Sequence, residues 1–495
     1  MANNKKAQTG RPRNATKTPA DPANAPDTSK RRSSQAPAAT APADTALARP
    51  TQVKRTDRRH SEGRPDGTRT AFKRDRDRVL YSDAFRRLAG VTQVVHAAEG
   101  HGFHNRLTHS LKVAQVGRRV AERLATDVDL SAAAGGIDPD VVETASLAHD
   151  LGHPPFGHIA EEELHAQIQA VGVEDGFEGN AQSFRIVTRA AIRSNEHLGL
   201  NLTRASLNAI LKYPWAHGAA GKKSKKWGHF FSETEDFNFA RQMTPGEKQS
   251  NEASLMDWAD DITYAVHDVE DFYRVGTIPL DRLLSGKGPE RVQFIDAAVA
   301  RWAESEQVDP AAKDKANRFF DLLGPFIPDE LRSPYSGTRA QRAALNQLSS
   351  MLITRFVLAI NFVEAAGSVG LRFEEAKAFE VKTLKSLMVH YVYRNPALVA
   401  QQFGQRRVVA ELFKILFDAA KPGARDAGVI PMPYRDLLDE VNRGGPCVRS
   451  PEDQSRERAR LVADIIASLT EQQALEFHQR LAGISPGSVL ESIIR

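Results

Sequence analysis

Four residues scattered along the chain are of types that hold a divalent cation: His109, the adjacent pair His149–Asp150, and Asp260. Imidazole nitrogen and carboxylate oxygen suit a hard or borderline ion such as Mg2+, Mn2+, Fe2+ or Co2+. An ion with four protein ligands keeps coordination positions for water and a phosphate oxygen. Metal-assisted hydrolysis of a phosphate ester is the chemistry this set suggests. A His-Asp dipeptide alone carries little weight, and a lone buried histidine is more often a hydrogen-bonded structural residue. The context is more telling. His149–Asp150 closes the apolar stretch Ala145-Ser-Leu-Ala148, just before a Gly-His-Pro-Pro break. Burying two titratable groups there costs on the order of several kcal/mol unless something pairs with them. A divalent metal is a fitting partner, because it favours neutral imidazole and ionised carboxylate.

The elements that must position these residues read as helices. Apolar residues recur at threes and fours over 105–124, with His109 near the start. The spacing predicts a helix over 139–151, with Asp138 as N-cap, Pro139 at its first position and Gly152 ending it. His153-Pro-Pro-Phe-Gly157 cannot continue a helix, and a new one starts at His158. Residues 251–272 read as one strong helix carrying Asp257, Asp260, Asp261, Tyr264, His267 and Asp268. Further helices are expected over 74–93, 180–193, 204–211, 290–305, 310–324, 340–366, 373–392, 396–420, 433–442 and 451–493, with little strand-like alternation. The fold class is all-α. Residues 71–275 form the core that carries the chemistry. Residues 276–495 form a helical C-terminal region that packs on it and supplies an oligomer interface.

Composition sets the outer limits. The 495 residues are 41% hydrophobic and 26% charged, ordinary values for a globular protein. The single cysteine, Cys447, leaves no internal disulfide framework and fits a reducing cytoplasm. No apolar run approaches the ~20 residues needed to cross a bilayer, and nothing near Met1 resembles a signal peptide. The net charge of +5 is unevenly spread. Residues 1–70 hold 15 Lys+Arg against 6 Asp+Glu and no aromatic residue, whereas the rest holds 52 against 56. That segment reads as a disordered basic tail. It is either a solvated extension, the plainer reading, or a weak electrostatic contact for single-stranded nucleic acid.

Three strings together resemble the HD-domain superfamily: Arg106-Leu-Thr-His109-Ser110; Leu147-Ala-His149-Asp150-Leu-Gly-His-Pro-Pro-Phe-Gly-His158; and Ala259-Asp260-Asp261-Ile-Thr-Tyr264. With Arg74-Asp-Arg-Asp-Arg78, Phe85-Arg-Arg-Leu88, Phe177-Glu-Gly-Asn-Ala-Gln182 and Tyr391-Val-Tyr-Arg394, the chain is similar to the bacterial deoxyguanosine triphosphate triphosphohydrolases. These are relatives of the mammalian SAM-and-HD-domain dNTP hydrolase. The resemblance covers 65–495 and implies a helical HD fold. It also implies cleavage of dGTP, or of other dNTPs, between the 5′-oxygen and the α-phosphorus to give deoxynucleoside and inorganic triphosphate. It makes His109, His149, Asp150 and Asp260 the metal ligands, with Mg2+ or Mn2+ as the ion and Fe2+ or Co2+ as alternatives.

The resemblance also assigns roles around the metal. His158 and Glu161 lie at i, i+3 on one helix face. From spacing alone they are a helix-start histidine and a solvated carboxylate; the resemblance makes them an acid/base pair. It places His153 near the α-phosphate, where the plainer role is a cap in the Pro-rich turn. Arg106 becomes a phosphate grip. Gln93, Tyr264 and Asp268 become deoxyribose readers, Tyr264 and Asp268 sharing a face four residues apart. Lys212 and the Lys222–Lys226 loop offer positive charge for the triphosphate, with simple solvation the plainer reading of the loop. Two positions depart from the mammalian relative: Phe177 stands where it has histidine, and Asp261 where it has lysine. A homo-oligomer (hexamer or tetramer) and activation by a dNTP complete the expectation. Two other readings stay open: another HD-superfamily nucleotide phosphohydrolase or phosphodiesterase, and a non-catalytic nucleotide- or nucleic-acid-binding protein.

Overall fold

A computed structural model describes residues 53–63, 67–93, 104–219, 225–284, 286, 288–305, 307–365, 367–393, 396–444 and 450–487. Tail residues 1–52, Lys222, Lys223, Arg394 and Cys447 lie outside the described residues.

The described chain is helical. In order come α1 (Ala71–Leu80), α2 (Asp83–Arg87), α3 (Arg106–Ala125), α4 (Val128–Ala133), α5 (Pro139–Ala148), α6 (His158–Ala170), α7 (Gly179–Arg185), α8 (Arg204–Ile210), α9 (Thr234–Arg241), α10 (Asn251–Thr263) and α11 (Val269–Arg274). The second half has α12 (Leu280–Leu284), α13 (Pro289–Ser305), α14 (Ala312–Leu323), α15 (Arg339–Val357), α16 (Glu375–Tyr391), α17 (Pro396–Ala419), α18 (Tyr434–Asn442), α19 (Pro451–Ser468) and α20 (Glu471–Leu481). Between α15 and α16 lies an antiparallel hairpin, β1 (Ile360–Ala365) and β2 (Ser368–Phe373).

The helix at the centre is α5. It packs against α1, α3, α8 and α10, and Val141, Val142, Ala145, Leu147 and Ala148 are all buried. A helix apolar on every side must sit inside the protein, and this one delivers His149–Asp150 into the interior. Its start follows the expected chemistry: the Asp138 side chain accepts from Asp140 N at 2.8 Å, with Pro139 in the first turn. The Asn105 side chain caps α3 in a reciprocal box with Thr108, beside His109.

Among the described residues, three apolar clusters hold the fold. One joins α1, α2, α5 and α8. A second joins α3, α10 and α11 to α13–α16. A third joins α6 to α17, α19 and α20. The region after residue 275 therefore shares two cores with the helices before it.

The structure corrects several expectations. Residues 360–366 were expected to extend a helix; instead Ile360 and Phe362 pair with Phe373 and Leu371. These four apolar side chains alternate onto one face against the second cluster, and a period of two fits a strand. Residues 451–493 break at Leu469–Thr470, where Thr470 caps a new helix. Residues 74–93 break at Tyr81, where Ser82 caps α2. The 180–193 helix ends early, as a π-turn over Ile186–Ala190. The strong helix over 251–272 contains a π-turn at Tyr264–Asp268. Residues 53–63, expected to belong to the tail, are pinned to the body: Arg58 Nη1 lies 2.6 Å from the buried carboxylate of Asp75, and Arg55 pairs with buried Glu252.

Candidate active site

A cleft of about 500 Å3 opens where α3, α5, α6 and α10 converge and α17 and α20 close over them. Its lining includes Gln93, Arg106, His109, His149, Asp150, His153, His158, Lys212, Asp260 and Tyr264. Glu161 stands behind His158, bonded to its ring.

His109, His149 and Asp260 each offer a ligand atom, and these atoms lie within 4.8 Å of one another. His109 Nε2 is 3.1 Å and His149 Nε2 3.6 Å from Asp260 Oδ1. Asp150 Oδ1 lies 3.5 Å from His149 Nε2 and 3.0 Å from His153 Nδ1. His149 follows the last turn of α5, and its Nδ1–H donates to the Ser146 carbonyl at 2.7 Å. That bond satisfies one of the unpaired carbonyls at a helix end and fixes the ring. Nε2, buried and without a hydrogen-bond partner, is left facing the cleft.

The electrostatics favour a cation at this point. Burial opposes charge on His149, yet Asp150 and Asp260 overcome it and raise the imidazole pKa to about 9. Burial opposes charge on Asp150 too, but Arg106 Nη1, 2.7 Å away, and His149 hold the carboxyl well below its usual range. Lys212 Nζ, 2.8 Å from Asp260 Oδ2, does the same for Asp260 with help from His149. Two ionised carboxylates around two imidazoles form a donor set that fits a divalent metal.

Beside this set, His158 Nδ1 lies 3.1 Å from Glu161 Oε2. The His158 side chain is 68% exposed, whereas that of Glu161 is 9% exposed. The dyad thus has a buried anchor and a ring open to solvent. Glu161 is held below the usual carboxylate range, against burial, by the His158 hydrogen bond and by Lys226. His153 is buried, and burial with the nearby Arg106 guanidinium lowers its pKa to about 4. Its imidazole is neutral at neutral pH.

The structure departs from the sequence reading at three points. Lys226, taken with a solvated loop, lines the cleft; its Nζ lies 2.6 Å from Glu161 Oε1 and 3.0 Å from Glu178 Oε1. Nothing local marks it, because a Lys-rich Gly-bounded loop looks the same whether it is solvated or folded onto two buried carboxylates. Asp268 does not line the cleft, although Tyr264 does. The π-turn that begins at Tyr264 adds a residue to the helical turn, so residues four apart no longer share a face. Burial, Asp271 and Asp260 push the Asp268 pKa well above its usual range, and its Oδ2 is buried without a partner. Third, α17 and α20 bring Gln401, Gln402, Gln405 and Glu471 to the cleft, none of which has a local signal. Tyr393 also lines the cleft, its hydroxyl 2.5 Å from that of Tyr264.

The family model of the HD domain matches residues 106–265. That of a phosphohydrolase-associated domain matches residues 371–480. A deoxyguanosinetriphosphate triphosphohydrolase-like protein of Streptomyces coelicolor is 40% identical over 434 residues, covering 84% of this chain and 93% of that protein. A protein of the same name from Corynebacterium glutamicum is 37% identical over 440 residues, covering 84% and 92%. Deoxyguanosinetriphosphate triphosphohydrolase-like protein 1 of Mesorhizobium japonicum is 32% identical over 419 residues, covering 85% and 90%. On the shared length and the HD match, this chain belongs to the family of deoxyguanosinetriphosphate triphosphohydrolase-like proteins and is an HD-domain phosphohydrolase.

Proposed function

We propose that the protein is a metal-dependent dNTP triphosphohydrolase, which cleaves dGTP and other dNTPs to deoxynucleoside and inorganic triphosphate. One observation carries the reading. The His109–His149–Asp150–Asp260 cluster, with the unpartnered Nε2 of His149, shares a cleft with the His158–Glu161 dyad. A divalent ion held there, Mg2+ or Mn2+, supplies charge neutralisation at the α-phosphate and acidification of water.

The chain's own residues do the rest. Arg106 keeps Asp150 ionised, and its guanidinium has further N–H groups for phosphate oxygens. Lys212 and Lys226, on the cleft wall, offset the charge of the triphosphate. Water adds to the α-phosphorus and gives up a proton, the bond to the 5′-oxygen breaks, and that oxygen gains a proton, so none is consumed overall. Glu161 accepts from His158 Nδ1–H and orients the ring, so that its imidazolium form gives the Nε2 proton to the leaving oxygen and is restored by the proton that water releases. His153, neutral, offers hydrogen bonding near the α-phosphate without adding charge. Gln93 and Tyr264, both on the cleft wall, form the sugar-reading group, and the Tyr393 hydroxyl bonded to that of Tyr264 holds the Tyr264 ring in place. The neutral side chains of Gln401, Gln402 and Gln405 both donate and accept, which suits more than one base.

The decisive assay supplies each dNTP singly and in mixtures, with Mg2+ or Mn2+, and identifies the products. Intact tripolyphosphate is expected. Orthophosphate or pyrophosphate would point to a different phosphohydrolase activity. A homo-oligomer and an activating dNTP belong to the same reading. Sedimentation tests the first, and stimulation in dNTP mixtures tests the second.

A further inference from the structure

Glu471 is chemically unlike its neighbours in the C-terminal region. It lies in the first turn of α20, is 2% exposed, and lines the cleft. Its carboxylate reaches two segments more than 300 residues earlier. Oε1 accepts from the backbone N–H of Thr92 at 3.1 Å and from that of Phe156 at 3.2 Å, and Oε2 accepts from the Thr92 hydroxyl at 2.6 Å.

Both partners sit one step from the chemistry. Thr92 precedes Gln93. It also bridges to Asn105, and Arg106 N donates to Val91 O at 3.0 Å, so this segment is tied to the start of the helix that carries His109. Phe156 lies two residues before His158, and its backbone is left-handed, φ +69°. That conformation is strained for a bulky side chain and persists where surrounding bonds over-determine it. The bond to Glu471 is one of them. The contact is built closely. A Cβ on Gly90 would meet Thr470 Cγ2 at 2.7 Å, so only glycine lets the two chains approach. Arg87 reinforces the junction, donating to Leu469 O at 3.0 Å and to the carbonyls of Leu151 and His153, each at 2.8 Å.

We propose that Glu471 is a positioning residue for the reaction: by clamping the Thr92 segment to the Phe156 turn, it fixes the separation between Gln93 on one side of the substrate and His158 on the other. The inference rests on the dNTP hydrolase reading. It assigns the α19–α20 junction a role in the chemistry beyond packing. Glu471 touches neither substrate nor metal in this role; it acts through the backbone of the residues that do.

The test compares wild type, Glu471→Ala and Glu471→Gln for triphosphate release, Mn2+ stoichiometry and backbone amide exchange. Alanine removes both acceptor oxygens. Expected for Glu471→Ala are a kcat loss of roughly 10- to 100-fold, the scale of a misplacement near 1 Å, a KM changed by less than about threefold, full Mn2+ binding, and faster exchange at Thr92 or Phe156. Glu471→Gln is the conservative variant: its amide oxygen accepts from the two backbone N–H groups, its NH2 donates to the Thr92 hydroxyl, and most of the kcat is recovered. Should Glu471→Ala fail to fold, Thr92→Val removes the hydroxyl bond alone and is expected to lower kcat by a smaller factor. Unchanged kcat in a variant whose amide exchange has increased overturns the proposal. So does a rate loss that merely tracks lost Mn2+ sites, since that is a stability effect. Wild type that releases no triphosphate from any dNTP overturns the hydrolase reading itself, a result distinct from a variant that matches an active wild type.

Discussion

His149 meets two demands with one ring. Its Nδ1–H closes the end of α5 on Ser146 O, and its Nε2 faces two carboxylates with no hydrogen-bond partner. Replacing it by alanine removes the ligand and leaves Asp150 and Asp260 to repel each other. His149→Ala is therefore expected to lose both metal binding and turnover, measured as metal content after dialysis and as triphosphate release. His158→Ala separates the two functions. It is expected to keep its metal and lose roughly 10²- to 10⁴-fold in rate, the usual value of a positioned acid or base. A near-wild-type rate would remove the dyad from the mechanism. His149 was legible in the sequence because its neighbours mark it: an apolar helix ending in His-Asp before a Gly-His-Pro-Pro break. The pairing of His158 with Glu161 came from the family resemblance, since spacing alone reads them as a helix-start histidine and a solvated carboxylate. Lys226 and Glu471 were not legible. Each acts across a tertiary contact, Lys226 on Glu161 and Glu178, Glu471 on Thr92 and Phe156, and no local pattern encodes such a contact.

Among elements, the turn after α5 is tightly constrained. At Gly152 an added Cβ would stand 2.2 Å from the Gly179 carbonyl oxygen and 2.2 Å from Ser183 N, backbone atoms that cannot rotate away. Gly152→Ala is expected to cost at least the ~1–3 kcal/mol of an overpacked core. It should also loosen Asp150, two residues away; a lower melting temperature together with weaker Mn2+ binding would show both. The helices here were readable because caps and apolar spacing agree: Asp138 with Pro139, Asn105 before α3, Ser250 before α10. The π-turn at Tyr264–Asp268 was not readable, because a π-turn needs no residue types different from those of an α-helix. It mattered, since it sends Tyr264 into the cleft and Asp268 elsewhere. The β1–β2 hairpin was missed because its short apolar run follows the long helical pattern of α15 directly.

At the scale of the whole molecule, stability and synthesis both follow from how the ends are tied. Removing residues 1–52 is expected to leave the melting temperature and the reaction unchanged. Removing residues 1–65 is expected to lower the melting temperature by several degrees, because it strips Arg58 from the buried Asp75 and Arg55 from the buried Glu252, and a lone buried charge costs about 3–5 kcal/mol. Acid should also loosen the fold through His229, which is buried and stacked on Phe237 with ring centroids 3.9 Å apart. Burial lowers its pKa from 6.5 to about 4. A depressed folded-state value means that its stability contribution is whole above pH 6.5 and is lost as pH falls from 6.5 towards 4. The loss amounts to about 3 kcal/mol at most. Urea midpoints of His229→Phe should fall less steeply over that window than those of wild type. Among the described residues, no helix is long and apolar enough to cross a membrane. The clamp at Glu471 has a further consequence, in time rather than space. On the ribosome, Asp260 emerges some 200 residues before Glu471, a delay on the order of 10–40 s at ordinary rates of synthesis. Throughout that interval the nascent chain already holds His109, His149, Asp150 and Asp260 but lacks the carboxylate that joins Thr92 to Phe156. Because α3 and α10 share a core with α13–α16, and α6 shares one with α17, α19 and α20, the cleft has its walls only once those later helices have emerged. The cleft is thus completed at the end of synthesis, not during it.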